Sequence, residues 1–310
     1  MKKQLIILTA LLSTNALLSF SMKSLKETKT FKSISSLFTS AKYEEVVQQE
    51  IPVCDDHNLT VENSRGPVHI QTWQQPKILL KAIKCVNKKE FLPDISVSVQ
   101  STNEHTTIKT VCTQEKVKCS VEYQLLVPAA TNIVVKTELG NVDADHIEGT
   151  VVVQAENGNI ELQAIQGLVD VDVSNKGSII VGQPGNNIKL VTHHGNIDIY
   201  DAKRNVFAST DNGKIHSNCK LVPAGSMIKL DATGPIALQL PNNVSADLQA
   251  ETEQSSVICD HYIAIKPFIT QLNNKAWTQF KRSIHGTLGT GKSNICLHSV
   301  AGNIKIMKTS

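Results

Sequence analysis

From residue 133 onward, apolar and polar positions alternate in short bursts, and each burst follows a glycine. Gly140-Asn-Val-Asp-Ala, Gly158-Asn-Ile-Glu-Leu, Gly177-Ser-Ile-Ile-Val, Gly195-Asn-Ile-Asp-Ile and Gly234-Pro-Ile-Ala-Leu share one pattern, and Gly213-Lys-Ile-His-Ser keeps its first apolar position. Alternation with period two predicts strands of four or five residues with one face inward. This first column, Gly140, Gly158, Gly177, Gly195, Gly213 and Gly234, advances in steps of 18, 19, 18, 18 and 21 residues. A second column, Gly149, Gly167, Gly185, Asn205 and Gly225, lies about half a period away and precedes its own bursts, such as Val169-Asp-Val-Asp-Val. Two strands and two turns per repeat predict an all-β, parallel β-solenoid (β-helix-like) with about 18 to 20 residues per coil.

A strand this short buries too little apolar surface to stand alone, so coils must stack. Stacking predicts an inner ladder of Ile160, Ile179, Ile197, Ile215 and Ile236. The glycines are expected to supply the positive φ of tight turns, as are residues just before them such as Asn157 and Asn212. Residues 131–306 form the repeat, with an insertion at about 260–288 that carries Trp277 and Phe280. One further coil, with Gly291 and Gly302, is expected to close the stack. Residues 43–130 read as an irregular β-rich N-terminal segment. That segment and the insertion are expected to cover the open strand edges of the terminal coils.

The N-terminus changes the picture. Met1-Lys2-Lys3, the apolar run Leu5 to Phe20, and Ser19-Phe20-Ser21 read as a secretory signal peptide over residues 1–21, followed by a linker over 22–42. The run is shorter than a bilayer span and is interrupted by Ser13, Thr14 and Asn15, so no stable transmembrane segment is expected after cleavage. The implied location is extracytoplasmic: periplasm, cell surface or secreted. A formal net charge of +3 and 4% aromatic residues give no basic stripe or stacking surface for nucleic acid. Seven cysteines allow at most three internal disulfides. Cys112 and Cys119 are the best pair, expected to face each other in a hairpin centred on Glu115 and Lys116. Cys219 and Cys259 alternate in phase with apolar neighbours and read as buried small hydrophobes. No pair has CxxC spacing, so no metal site is expected, and no cofactor.

With these residues in hand, the chain resembles the bacterial putative-adhesin domain family, exported proteins whose molecular function is mostly undefined. Leu59-Thr-Val-Glu-Asn-Ser-Arg-Gly66-Pro-Val-His-Ile, Tyr123-Gln-Leu-Leu-Val-Pro128, Val135-Lys-Thr-Glu-Leu-Gly140-Asn-Val, the repeated glycine units and the stretch from Leu288-Gly-Thr-Gly291 to Ile306 match its pattern in order. The resemblance covers roughly residues 45–306. It implies a β-helix-like solenoid and brings no catalytic residues with it.

Three features could carry chemistry. Gly286-Thr-Leu-Gly-Thr-Gly-Lys-Ser293 matches the phosphate-binding loop letter for letter. That loop needs a buried strand before it and a helix after it, and the flanks read as strand and turn, so no nucleotide is expected. Asp143, Glu161 and Asp198 share one outward position on nearby coils, as acids do in carbohydrate-cleaving β-helices. Ile180 interrupts that row, and no arginine or aromatic platform is expected beside it, which favours a solvated face. His193 and His194 occupy a turn. The expected function is an exported cell-envelope structural or binding protein, adhesin-like, without catalytic residues, whose partner is an unnamed protein, glycan or the envelope itself. The alternative is a carbohydrate-active β-helix enzyme using Asp143, Glu161 and Asp198.

Overall fold

Alternating apolar residues in parallel strands can be buried only if equivalent positions line up from coil to coil, and they do. The computed structural model describes residues 43–54, 56–113, 119–265 and 282–309. The segments read as signal peptide and linker, the tip of the expected Cys112–Cys119 hairpin, and Trp277 and Phe280 lie outside the described residues. The chain is all-β, with a 12-stranded and a 13-stranded sheet face to face among the described residues. In the first sheet, Val142, Ile160, Ile179, Ile197, Ile215 and Ile236 pair in one continuous row, with Leu162, Val181 and Ile199 two residues further on. In the second, Ile133, Val151, Val169, Ile188, Val206 and Ile228 form the matching row. The side chains of both rows are buried between the sheets in one core that runs the length of the stack.

The β-rich N-terminal segment continues these same two sheets. Strands Asn58–Arg65 and Val68–Trp73 form a coil that pairs in parallel with Asn132–Leu139 and Val142–Asp145. Strands His105–Cys112 and Ser120–Pro128 form another coil, which lies beyond the first although it follows it in sequence. The C-terminal end repeats this inversion. Asn294–Ser299 sits between Met227–Ala232 and Ala246–Thr252, and Ile304–Lys308 sits between Ile236–Leu240 and Val257–Cys259. The last coil in sequence is therefore the second-last in space, not the closing one that the sequence suggests. Local periodicity marks a coil but carries no information about which rung it fills.

Antiparallel strands cover most of the ends. Lys77–Val86 pairs with Ser120–Pro128, and Tyr43–Pro52 pairs with Lys77–Val86. Ile95–Ser101 covers His105–Cys112, and Ser283–Leu288 with Ala264–Ile265 covers Ala246–Thr252. These come from the two regions expected to protect the edges. The remaining parallel edge, Val257–Cys259, is three residues long, a short target for strand addition.

The first glycine column has a different cause from the one expected. Apart from Gly158 (φ 143°), none of Gly140, Gly177, Gly195, Gly213, Gly234 or Gly302 has positive φ. What excludes a side chain is proximity. A Cβ on Gly195 would lie 2.0 Å from the Gly177 carbonyl oxygen, and one on Gly213 would lie 1.9 Å from that of Gly195. In the second column, Gly149 and Gly167 are similarly crowded by backbone, whereas Gly225 (φ 81°) is open and conformational. The left-handed position of the second turn instead falls on His146, Ala164, Gln183 and Asp201, at φ between 51° and 60°. Each costs an L-residue about 1–2 kcal/mol relative to right-handed backbone.

Polar side chains finish the turns. Thr192 and Thr210 donate from inside the second sheet to the carbonyls of Gly177 and Gly195, both at 2.8 Å, and Thr252 donates to Gly302 at 3.0 Å. Just after the glycines, Asn141 accepts from the Asn159 backbone N–H (2.9 Å) and Asn159 from that of Ser178 (3.0 Å). Asn132, Asn187 and Asn205 do the same at the other turn.

Cys112 and Cys119 are disulfide-bonded, with Cα atoms 6.5 Å apart. They do not face each other in a hairpin. Cys112 ends a strand of the second sheet and Cys119 precedes one of the first, so the bond closes the arc of a single coil. Cys219 is buried and Cys259 half-buried.

Two substitutions separate crowding from conformation. Gly195→Val should destabilise the fold by about 3 kcal/mol, because backbone rather than a movable side chain occupies the Cβ position. Gln183→Gly, at an exposed left-handed residue, should stabilise it by up to about 1 kcal/mol. Thermal melts of both variants check this, and an unchanged Gly195→Val would refute the packing account.

Candidate functional site

Outward side chains of the first sheet share rows as strictly as the inward ones. One row reads Lys81, Gln124, His69, Asp143, Glu161, Ile180, Asp198, His216, Ala237 and Lys305. Asp143 and Glu161 are therefore next neighbours, about 4.8 Å apart at the backbone. Ile180, 39% exposed, separates Glu161 from Asp198. The row is brought together as the repeat implies, but on a flat face rather than in a cleft.

At its N-terminal end, the row is a connected polar chain. Lys81 Nζ donates to Gln124 Oε1 (3.1 Å), and Gln124 Nε2 donates to Glu122 Oε1 (2.6 Å). His69 Nε2 lies 3.9 Å from Glu122 Oε1, and its Nδ1 is 2.5 Å from Asp143 Oδ1. Burial pulls the His69 imidazole down, but the hydrogen bond and charge of Asp143, with the charge of Glu122, outweigh it and leave the pKa above its ordinary value. Asp143 is thus engaged by histidine, which ties it to the coil beneath.

At the other end stands a feature that sequence spacing missed. Tyr200 lies two residues beyond Asp198 on the same outward side and is 43% exposed. Its ring meets the His216 imidazole edge-on, with centroids 5.7 Å apart, and His216 Nδ1 is 3.7 Å from Asp198 Oδ1. The expectation of no aromatic beside the acids is corrected here. Tyr200 belongs to the row next to the acids, where it pairs with Gly182. A register shift between Ile199 and Ala202 marks a bulge at this point, with Asp201 left-handed. Bulges re-aim side chains and are enriched beside functional surfaces. Period-two alternation from Asp198 places it outward, and the scarcity of aromatics singles it out: Tyr200 and Phe207 are the aromatics of residues 131–259.

The second sheet carries a shallow polar groove of about 470 Å³, lined by Glu62, Lys109, Lys136, Glu138, Glu156 and Asp172 among others. A hydrogen bond from Lys109 (2.9 Å between Nζ and Oε2) holds Glu62 below the usual carboxylate range, aided by Lys136. Its strongest charges thus neutralise each other. His193 pairs with Asp211 on the next coil, and His194 aligns with Asn212. Among the described residues, no group of three or more His, Cys, Asp or Glu side chains is placed to hold a metal ion.

The loop that matches a phosphate cradle is a turn between strands. Ser283–Leu288 precedes it and Asn294–Ser299 follows, with no helix. The N–H groups of Thr290 and Lys292 both point to Ser245 Oγ, and Ser293 Oγ donates to the Pro223 carbonyl. The N–H groups of Thr290, Gly291 and Lys292, which a phosphate cradle would turn to its ligand, are bound to protein.

The His69 cluster should make stability depend on pH. An unfolded imidazole titrates near ~6.5, and the folded value is higher, so the stabilisation is fully present below ~6.5 and lost as pH rises through the folded value. Wild-type melting temperature should therefore fall relative to that of His69→Gln between roughly pH 6 and 8. Parallel profiles for the two proteins would show that the cluster contributes nothing.

No family model matches the chain, and no curated protein matches it. Solved structures do. A putative adhesin from Bacteroides fragilis NCTC 9343 is 14% identical, with TM-score 0.47, over 85% of this chain and 97% of that one. A putative adhesin from Parabacteroides distasonis ATCC 8503 is 10% identical, with TM-score 0.39, over 86% and 97%. A putative cell adhesion protein from Clostridium sporogenes ATCC 15579 is 12% identical, with TM-score 0.29, over 86% and 100%. Over most of its length, the chain is similar to solved bacterial proteins that bear the names of adhesins.

Proposed function

We propose that this is an extracytoplasmic binding or scaffolding module, adhesin-like and without catalysis of its own. The observation that carries the reading is the outward row of the first sheet, where charged and aromatic side chains are set at fixed spacing on a flat face. A flat face with an exposed aromatic and a polar surround suits recognition of a partner, whereas bond cleavage needs a concave site with convergent groups. The reading is supported by the engagement of Asp143 with His69 and by Ile180, which stands between Glu161 and Asp198.

Support for the compartment comes from the basic and apolar residues at the N-terminus and from the Cys112–Cys119 disulfide, a bond that persists in oxidising surroundings. No helix among the described residues is long and apolar enough to cross a membrane. The motif resemblance to exported adhesin domains points the same way.

Fractionation of cells that produce the full chain tests this. The chain should leave the cytoplasm, begin at Met22, and carry Cys112 joined to Cys119 in peptide maps made without reductant. Recovery of the intact chain in the cytoplasm with both thiols free would overturn the reading. Release of reducing sugar from envelope glycans, lost on Glu161→Gln, would replace it with the hydrolytic one.

A further inference from the structure

The central part of the first sheet has an unbalanced surface. Strands Val142–Asp145, Ile160–Gln163, Ile179–Gly182, Ile197–Ala202 and Ile215–Cys219 contain no lysine or arginine, yet they present Asp143, Asp145, Glu161 and Asp198 outward. The nearest lysines in the long outward row are Lys81 and Lys305, with Gln48 and Ile258 beyond them. The chain as a whole is slightly basic, at +3, so this acidity is local and not a property of the whole surface.

In the midst of these acids are two exposed apolar side chains, Tyr200 at 43% and Ile180 at 39%. They lie on neighbouring strands: Ile180 pairs with Asp198, and Tyr200 pairs with Gly182. Gly182 leaves the space beside the Tyr200 ring low. The Gln163 amide leans over it, its Oε1 1.9 Å from where a Cβ on Gly182 would be. His216 braces the ring from the far side.

The geometry points to this face as the docking surface for a cationic polypeptide segment, with the Tyr200 ring as anchor and Asp198 and Glu161 as its charge partners. This rests on the reading of the protein as a binding module and names the chemistry of its partner. Charge complementarity selects the cation, and the apolar centre selects its kind. A lysine or arginine side chain has an alkyl stem to lie on Ile180 and a charged head to meet a carboxylate or the tyrosine π-face. A hard metal ion would find no use for the apolar pair, and Ile180 keeps the two carboxylates beside it apart. The rungs from Asp143 to His216 span four strand spacings, about 19 Å, the reach of about six extended residues. The occupant is therefore a stretch of chain and not a single amine.

Titration of the full protein with a fluorescently labelled octalysine peptide tests this, with octaglutamate as control. Binding should saturate at low salt, weaken steeply toward physiological ionic strength, and be absent for octaglutamate. Tyr200→Ala and Asp198→Asn should each weaken it about fivefold to tenfold, while Tyr200→Phe, which keeps the ring, should bind as wild type. Asp170→Asn, on the opposite sheet, should change nothing. Both Tyr200 and Asp198 are solvent-accessible, and unchanged melting curves will show that the variants are folded. Absence of saturable binding, or binding that Asp170→Asn weakens and Tyr200→Ala does not, would overturn the assignment of this face. A chain that fractionates outside the cytoplasm yet fails this titration would refute the partner alone. A cytoplasmic chain would refute the binding-module reading beneath it.

Discussion

A carbonyl oxygen occupies the place where a side chain would begin on almost every glycine of the first column. That contact fixes how closely one coil lies on the next, and the rest of the structure follows from it. Strand pairing at the parallel spacing brings the turns together as well as the strands, and only hydrogen on the α-carbon leaves room. The carbonyls so enclosed still need partners. Several receive a hydroxyl from within the second sheet, as Gly177 does from Thr192 and Gly234 does from Ser299. Hydrophobic ladder, glycine column and internal hydroxyl row are three consequences of one spacing.

Much of this was legible in the sequence because a repeat displays its own period. The isoleucine ladder from Ile160 to Ile236 follows from counting residues between glycines, and so does the shared outward row of Asp143, Glu161 and Asp198. The turn character of the Gly286–Ser293 loop was legible too, because its flanks carry strand and not helix patterns. What counting could not supply was the reason for the glycines, since positive φ and steric crowding select the same residue. The left-handed positions were hidden for the opposite reason. Ala164 and Gln183 carry no mark of unusual backbone, and their strain is tolerated because the coils on either side fix the turn. Tyr200 lies one outward position further along its strand than the acid row, so a comparison of one position per coil passes it by.

The two outer faces differ in how their charges are used. On the second sheet, lysines pair with acids of neighbouring coils, as at Glu62 with Lys109 and Lys136 and at Asp170 with Lys189. Histidines there bridge coils, His298 reaching Asp231 on one side and Glu253 on the other. On the first sheet, His69 performs that task at one end, and beyond it the acids stand without cations on their own strands. The two faces thus differ in the partner of their acids, lysine and histidine on the second sheet and histidine alone at Asp143, Asp145 and Asp198 on the first.

The inverted order of coils at the C-terminal end bears on when the fold can form. Strands Ala246–Thr252 and Val257–Cys259 have no rung to rest on until Asn294–Ser299 and Ile304–Lys308 have been made. At ~5–20 residues per second of synthesis, that leaves a vacancy for some seconds in every nascent chain. The stack can grow from its middle as soon as its central coils emerge, yet this end of it cannot close before Ile304–Lys308 has been made. A chain built in this way assembles its last two rungs out of sequence order, so the arrival of a late coil, and not the making of an earlier one, sets the moment at which that part becomes rigid.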